Sequence, residues 1–232
     1  AGLAHQLRNS LAAMIGFTQL LQKLASGDDQ FSHIAASLLR EAKSTEKMLK
    51  QFLSYSAPGE VKRRRVEFRE MQCVLEDHFA HPLEEKGIVS SFAVDHDLPL
   101  IYCDPLLITN SIKNLVQNSI DACAAGGEIN ITVKYLADVD LVEMRVSDTG
   151  VGMEQDQVAK VFNPFYTSGK ADGTGLGLSL VRKWIITHQG EVNCVSTPGE
   201  GTTFTITLPN RSTTAIEQPE PLPDNEIKLA KT

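Results

Sequence analysis

The sequence predicts an α+β chain in which an antiparallel helical hairpin precedes an α/β sandwich. Three observations carry this. Residues 1–52 hold two apolar stripes at alternating steps of three and four, the signature of helices that pack along a seam. Pro58-Gly59 then ends the helical pattern. Downstream, strand and helix patterns are mixed without regular strand–helix–strand alternation, which favours a sandwich over a doubly wound sheet.

The first stripe comprises Ala4, Leu7, Leu11, Met14, Thr18, Leu21 and Ala25, and SGDDQ at 26–30 reads as a turn. The second comprises Phe31, Ile34, Leu38, Ala42, Thr45, Leu49 and Phe52. Two antiparallel helices alone cannot bury both seams, so a homodimer forming a four-helix bundle is expected. The basic run Lys62-Arg63-Arg64-Arg65 reads as a solvated linker. Residues 66–86 include a helix with Met71, Val74, Leu75, His78 and Phe79 on one face. A strand at 88–94, a helix at 104–124, strands at 128–136 and 140–147, and a helix near 177–189 follow. Residues 191–209 read as a hairpin around Pro198-Gly199. Pro219, Pro221 and Pro223 lie among acids in a segment expected to be a disordered tail. The expected units are therefore 1–59, 60–209 and 210–232.

Composition narrows the function classes. Twenty-two basic against twenty-nine acidic residues give a formal charge of −7, which argues against nonspecific nucleic-acid binding. No apolar run approaches the roughly 20 residues of a membrane helix, and no signal peptide is visible. The chain opens without Met inside a helical pattern, so it is expected to be a piece of a longer protein that can carry membrane segments upstream. Cys73, Cys103, Cys123 and Cys194 show no metal-like spacing and read as small buried residues in a reducing cytoplasm.

The chemistry concentrates at 148–178. DTGVGM supplies Asp148, Gly150 and Gly152, and GTGLGL supplies Gly173, Thr174, Gly175, Leu176 and Gly177. Glycines so spaced let backbone approach a ligand closely, and their amides can hydrogen-bond phosphate oxygens. The second cluster runs into a helical pattern, whose N-terminus is a ready anion site. Neither cluster is a Walker loop or a dinucleotide fingerprint. Asn114 and Asn118 lie four apart on one helix face, where an amide oxygen can ligate Mg²⁺. Asp148 can accept a hydrogen bond from an adenine amino group.

These motifs together resemble the transmitter core of two-component sensor histidine kinases, over nearly the whole chain from His5 to about Pro209. AHQLRNSL resembles the H-box, NLVQNSIDA the N-box and DTGVGM the first glycine box. VFNPFYTSGK resembles the F-box, GTGLGLSLV the second glycine box and GEGTTFTITLP the last. NSIDA and FYTSGK look closest to nitrogen-regulation and flagellar-regulation sensor kinases. The resemblance implies a phosphotransfer hairpin and a Bergerat-type ATP-binding domain using ATP and Mg²⁺. His5 matches the phosphoacceptor, Asn118 the Mg²⁺ ligand, with Asn114 one turn before it, and Asp148 the adenine contact. Phe162, Phe165 and Tyr166 match the lid, Lys170 a lid lysine reaching the terminal phosphate, and Gly173, Gly175 and Gly177 the phosphate lining. The implied partner is the receiver domain of a response regulator.

Two departures stand out. Gln6 follows the histidine where an acid is usual, and an amide can orient the imidazole but cannot take its proton at neutral pH. Ser10 stands where Pro is usual, so helix 1 is expected to run straighter past His5. Asn9, one turn after His5, matches a position that in related kinases holds a water for dephosphorylating the regulator. Chaperone, repair and topoisomerase ATPases of the same superfamily carry a carboxylate just before the N-box Asn, where this chain has Gln117. A serine kinase of the same ATP fold needs no phosphoacceptor histidine. A catalytically silent dimeric scaffold is disfavoured by the intact nucleotide boxes.

Overall fold

The computed structural model describes residues 12, 14–19, 21, 29–56, 60–167 and 174–210. Helix α1 is described over residues 14–19, and α2 spans Asp29–Ser56. Residues 29–30 thus belong to α2 rather than to the expected turn. Seam residues Met14, Leu21, Ile34 and Leu38 are exposed in the single chain, as expected of a seam that a second copy covers. Ser10 and the expected straight run past His5 lie outside the described residues.

The basic run is not a solvated linker. Strand β1 (Arg64–Val66) pairs antiparallel with β3 (Ile101–Cys103) in a two-stranded sheet. Arg63 donates to the Thr187 carbonyl, Arg64 pairs with Glu70 at 3.1 Å, and Arg65 donates to the Leu100 carbonyl at 3.4 Å. Strands of three residues carry too little alternation to be seen in a sequence.

Helix α3 (Phe68–Lys86) buries Phe68, Met71, Leu75, Phe79 and Leu83. Val74 and His78, expected on that face, are exposed. The buried arc advances about 40° with each four-residue step and leaves these two behind its trailing edge. Gly87 closes the helix in the left-handed region at φ 62°. Helix α4 (Pro105–Ala122) starts on Asp104, whose carboxylate accepts from the Leu106 and Leu107 amides, with Pro105 in the first turn.

The main sheet has order β2-β4-β5-β7-β6, from β2 (Val89–Val94), β4 (Glu128–Leu136), β5 (Leu141–Asp148), β6 (Glu191–Thr197) and β7 (Gly201–Pro209). Only the β2–β4 pairing is parallel. Alternate residues point inward, including Ile131, Val133, Met144, Val146, Phe204 and Ile206. They pack against α3, α4 and α6 (Gly177–Thr187), which follows the single-turn α5 (Gln155–Val158), with Leu75, Ile112, Leu115 and Ile185 fully buried. Burying such a side chain contributes about 1.5–3 kcal/mol. This layer fixes α4 and α6 beside the open ends of β5 and β7, where the glycine loops emerge.

Two further details correct the sequence reading. Asn210, assigned to the tail, is buried; its side chain accepts from the Tyr102 amide at 3.1 Å. Residues 211–232 lie outside the described residues. Cys73 is exposed, whereas Cys103 and Cys123 are buried and Cys194 half-buried. Burial pushes the Cys103 and Cys194 thiols up to about 12.

A polar junction joins residues 60–63 to the helices. The Lys62 amide donates to Asp104 Oδ2 at 2.8 Å, and the Asp104 amide donates to His188 Nε2 at 3.0 Å. Nε2 therefore accepts, and Nδ1–H donates to the Trp184 carbonyl at 2.7 Å, which sets the neutral tautomer.

Candidate nucleotide site

Asp148 ends β5 and is 8% exposed. Burying a carboxylate without partners is costly, and here three donors meet it. Ser119 of α4 donates its hydroxyl to Oδ2 at 2.7 Å. The Gly150 and Thr202 amides donate to Oδ1 at 2.9 and 3.2 Å. The pairing of Asp148 with Thr202 across β5 and β7 brings the last of these into place.

The glycines explain themselves by close approach. A Cβ on Gly201, at φ 117°, would lie 1.9 Å from the Asp148 carbonyl oxygen. One on Gly152, at φ 66°, would lie 2.0 Å from the Thr197 carbonyl oxygen. The first glycine loop is thereby pressed onto the β6–β7 turn, where the Gly199 amide donates to the Val151 carbonyl at 2.8 Å.

Asn114 and Asn118 lie half-buried on α4. The Asn114 amide nitrogen donates to the Asn110 carbonyl at 2.8 Å, leaving its oxygen turned toward α6. A Cβ on Gly177, the first residue of α6, would sit 2.9 Å from that oxygen. The N-box helix and the second glycine box therefore meet. The N-cap residue of α6, Leu176, has no side-chain cap hydrogen bond, and Thr174 Oγ1 accepts from the Leu176 amide at 3.4 Å. Gln117 faces away, donating to Asp121 at 2.8 Å.

The F-box loop packs on the same region. Phe162 meets Phe204 edge-on at 6.2 Å. The Phe165 amide donates to the Gly175 carbonyl at 2.9 Å, and a Cβ on Gly175 would lie 2.4 Å from the Phe165 backbone. Phe165 itself has φ 64°, which a bulky residue rarely adopts, and its ring is exposed. Tyr166 is half-buried in the same loop. His5, Gln6, Asn9, Lys170 and Gly173 lie outside the described residues.

Sequence reasoning missed Ser119, Ser196 and Thr202. Ser119 sits inside the N-box and was legible as a residue on the Asn face's neighbouring stripe. Ser196 and Thr202 are ordinary strand residues, brought to Asp148 by register alone. Among the described residues no helix is long and apolar enough to cross a membrane, and no group of three or more His, Cys, Asp or Glu side chains can hold a metal ion.

Comparison with known proteins agrees with this geometry. The histidine kinase-, DNA gyrase B- and HSP90-like ATPase family matches residues 103–212, and the His Kinase A (phospho-acceptor) domain matches residues 1–60. Sporulation kinase E of Bacillus subtilis (strain 168) is 34% identical over 91% of this chain and 28% of its own length. Full-length ShkA in complex with AMPPNP has a TM-score of 0.78 at 24% identity, covering 90% of this chain and 45% of that one. Histidine kinase ThkA in complex with response regulator protein TrrA has a TM-score of 0.67 at 24% identity, covering 91% and 60%. The chain spans less than half the length of the curated relatives Sporulation kinase E, ZraS of Klebsiella oxytoca and AtoS of Escherichia coli (strain K12). With both domain families matched in order and a kinase relative aligned along nine-tenths of this chain, the chain belongs to the sensor histidine kinases of two-component systems, as their transmitter core.

Proposed function

We propose that the chain is an ATP-dependent protein histidine kinase that phosphorylates its own His5 and passes the phosphoryl group to an aspartate of a response regulator. The observation that carries this is the buried Asp148, an acceptor held by Ser119, Gly150 and Thr202 beside two glycine loops and the N-terminus of α6. The donor set fits a nucleotide. Asp148 suits a base amino group, the α6 N-terminus suits phosphate oxygens, and the amide oxygen of Asn118 suits Mg²⁺, with Asn114 one turn before it. Bound there, Mg²⁺ supplies positive charge that offsets charge on the phosphates.

In this reading the His5 ring nitrogen forms a bond to the γ-phosphorus while the bond from that phosphorus to the β,γ-bridging oxygen breaks. ADP leaves, and the imidazole loses its proton. Gln6 orients the ring by hydrogen bonding, and Lys170 and the lid residues Phe162 and Tyr166 close over the nucleotide. Transfer to the regulator breaks the N–P bond and forms an aspartyl O–P bond. The ThkA–TrrA complex supports a receiver domain as partner, and the phospho-acceptor domain with its exposed seam supports a homodimer. Asn9 is proposed to hold water for dephosphorylating the regulator. The core is proposed to act in the cytoplasm.

The test is incubation with γ-labelled ATP and Mg²⁺, using the parent, His5→Gln and Asn118→Ala. Acid-labile, alkali-stable label on the parent and none on either variant is the expected result. Label that survives His5→Gln would overturn His5 as the acceptor. Loss of regulator dephosphorylation in Asn9→Ala tests the phosphatase role, and an unchanged rate removes it.

A further inference from the structure

We infer that Lys86 is a positioning residue of the nucleotide site: from the end of α3 its ammonium holds the last turn of α4, and with it the first glycine loop, in the geometry that takes Mg-ATP. This rests on the reading of the site as a nucleotide site. A helix ends in backbone carbonyls that have no partner inside the helix. In α4 the Ser119 carbonyl receives the Cys123 amide at 2.9 Å. Other partners come from distant parts of the chain. Lys86 Nζ donates to the Ile120 carbonyl and, at 3.1 Å, to the Cys123 carbonyl. The Val151 amide donates to the Ala122 carbonyl at 3.2 Å. The last turn of α4 carries Asp121 and no basic residue, so Lys86 brings a cation from outside to the negative end of the helix dipole.

The turn is held from two directions. Beside Lys86 the main chain is stitched to the loop after α4, where the Gly126 amide donates to the Gly87 carbonyl and the Val89 amide to the Gly127 carbonyl, both at 3.0 Å. These backbone bonds aim the ammonium, although Lys86 is an exposed residue. From the other direction, Gly150 lies so close that a Cβ on it would sit 2.9 Å from the Ala122 carbonyl carbon. The Gly150 amide also donates to Asp148, and Ser119, in the same turn of α4, donates to it from the helix. Asn118 is the residue before Ser119. Loosening residues 119–123 would therefore withdraw the Ala122 carbonyl from Val151 and separate groups that the site needs together. Lys86 acts through this turn and needs no contact with the nucleotide.

The experiment is calorimetric titration of the whole chain with ATP and Mg²⁺. Lys86→Met keeps the aliphatic stem and removes the charge. It should fold and bind Mg-ATP roughly three- to tenfold more weakly, because fewer molecules hold the turn formed. Chemical rescue isolates the ammonium. In a Cys73→Ser background, Lys86→Cys should bind as weakly as Lys86→Met. Alkylation with bromoethylamine rebuilds an arm of lysine length ending in an amine, and should restore affinity to within about twofold of the parent. Alkylation with iodoethane gives that arm without the amine and should restore nothing. Cys123 supplies a second readout. Burial raises its thiol pKa and Asp148 adds to this, while the Thr149 backbone bond and Lys86 oppose it. Removing Lys86 would thus slow the thiol if nothing moved. Faster reaction of Cys123 with Ellman's reagent in Lys86→Met, slowed again by Mg-ATP, is the expected mark of a loosened turn. A parent that does not bind Mg-ATP overturns the nucleotide reading itself. A parent that binds, with Lys86→Met within about twofold of it, overturns the role of Lys86 alone, and so does an ethyl adduct that rescues as well as the aminoethyl one.

Discussion

Acidification should loosen the His188 junction. The ring is buried, accepting from the Asp104 amide and donating to the Trp184 carbonyl. Burial is the main cause that lowers its pKa below 6.5; the Trp184 bond opposes this, Arg63 adds to it and Asp104 opposes it. Because the folded value is the lower one, the unfolded chain takes up the proton first. The stability is fully present above about pH 6.5 and is lost as pH falls below it. At one pH unit below the unfolded pKa the loss is at most about 1.4 kcal/mol. Replacing the ring with Ala removes that dependence and leaves the Asp104 amide buried without its acceptor, a cost of about 1–3 kcal/mol at neutral pH. The chain's one tryptophan, Trp184, stands a single turn before His188 and reports locally by fluorescence. Urea titrations of the parent and His188→Ala at pH 7.5, 6.5 and 5.5 give the comparison. His78, also lowered but exposed, is common to both proteins and cancels in the difference. The gap between the two proteins should shrink toward pH 5.5. A gap that stays constant across the range would show that the ring is not held neutral, and the reasoning fails.

Asp148→Asn should keep the fold, losing about 1–2 kcal/mol as a neutral amide replaces the charged acceptor of two backbone amides, while ATP affinity falls on the order of a hundredfold; binding within threefold of the parent would contradict the assignment. Gly201→Ala should destabilise by more than about 3 kcal/mol, because its Cβ would meet the Asp148 carbonyl. Gly199→Ala, at φ 79° with open space around it, should cost only about 1–2 kcal/mol, and thermal melts of the pair would separate collision from backbone strain. Ellman's reagent at pH 8 should modify Cys73 rapidly and leave Cys103, Cys123 and Cys194 protected until the chain unfolds; two fast thiols per chain would refute this.

The longer strands and the helices of the ATP-binding region were legible because their apolar periods are long and unmixed, and α4 adds a capping Asp104 followed by Pro105. The glycine loops were legible for a stronger reason, since Gly152, Gly175 and Gly201 each stand where any side chain would collide with backbone. The face of α3 was misread at Val74 and His78, because an i, i+3 partner and an i, i+4 partner of a buried residue look alike until the neighbouring layer is known. Ser196 and Thr202 carry no local signal at all. Their meaning comes from the pairings Asp148 with Thr202 and Ser196 with Thr202, which join residues from three strands.

The junction at Asp104 has a mechanical side. One carboxylate both starts the helix that bears Asn114 and Asn118 and grips the main chain at Lys62, just after α2. Displacing the main chain at Lys62 therefore disturbs the same carboxylate that caps the first turn of α4. The restraint amounts to one charge-assisted hydrogen bond, about 1.5–3 kcal/mol, reinforced by Arg63 on the Thr187 carbonyl. Such a clasp links the position of the main chain at Lys62 to the capping of the helix that bears Asn114 and Asn118.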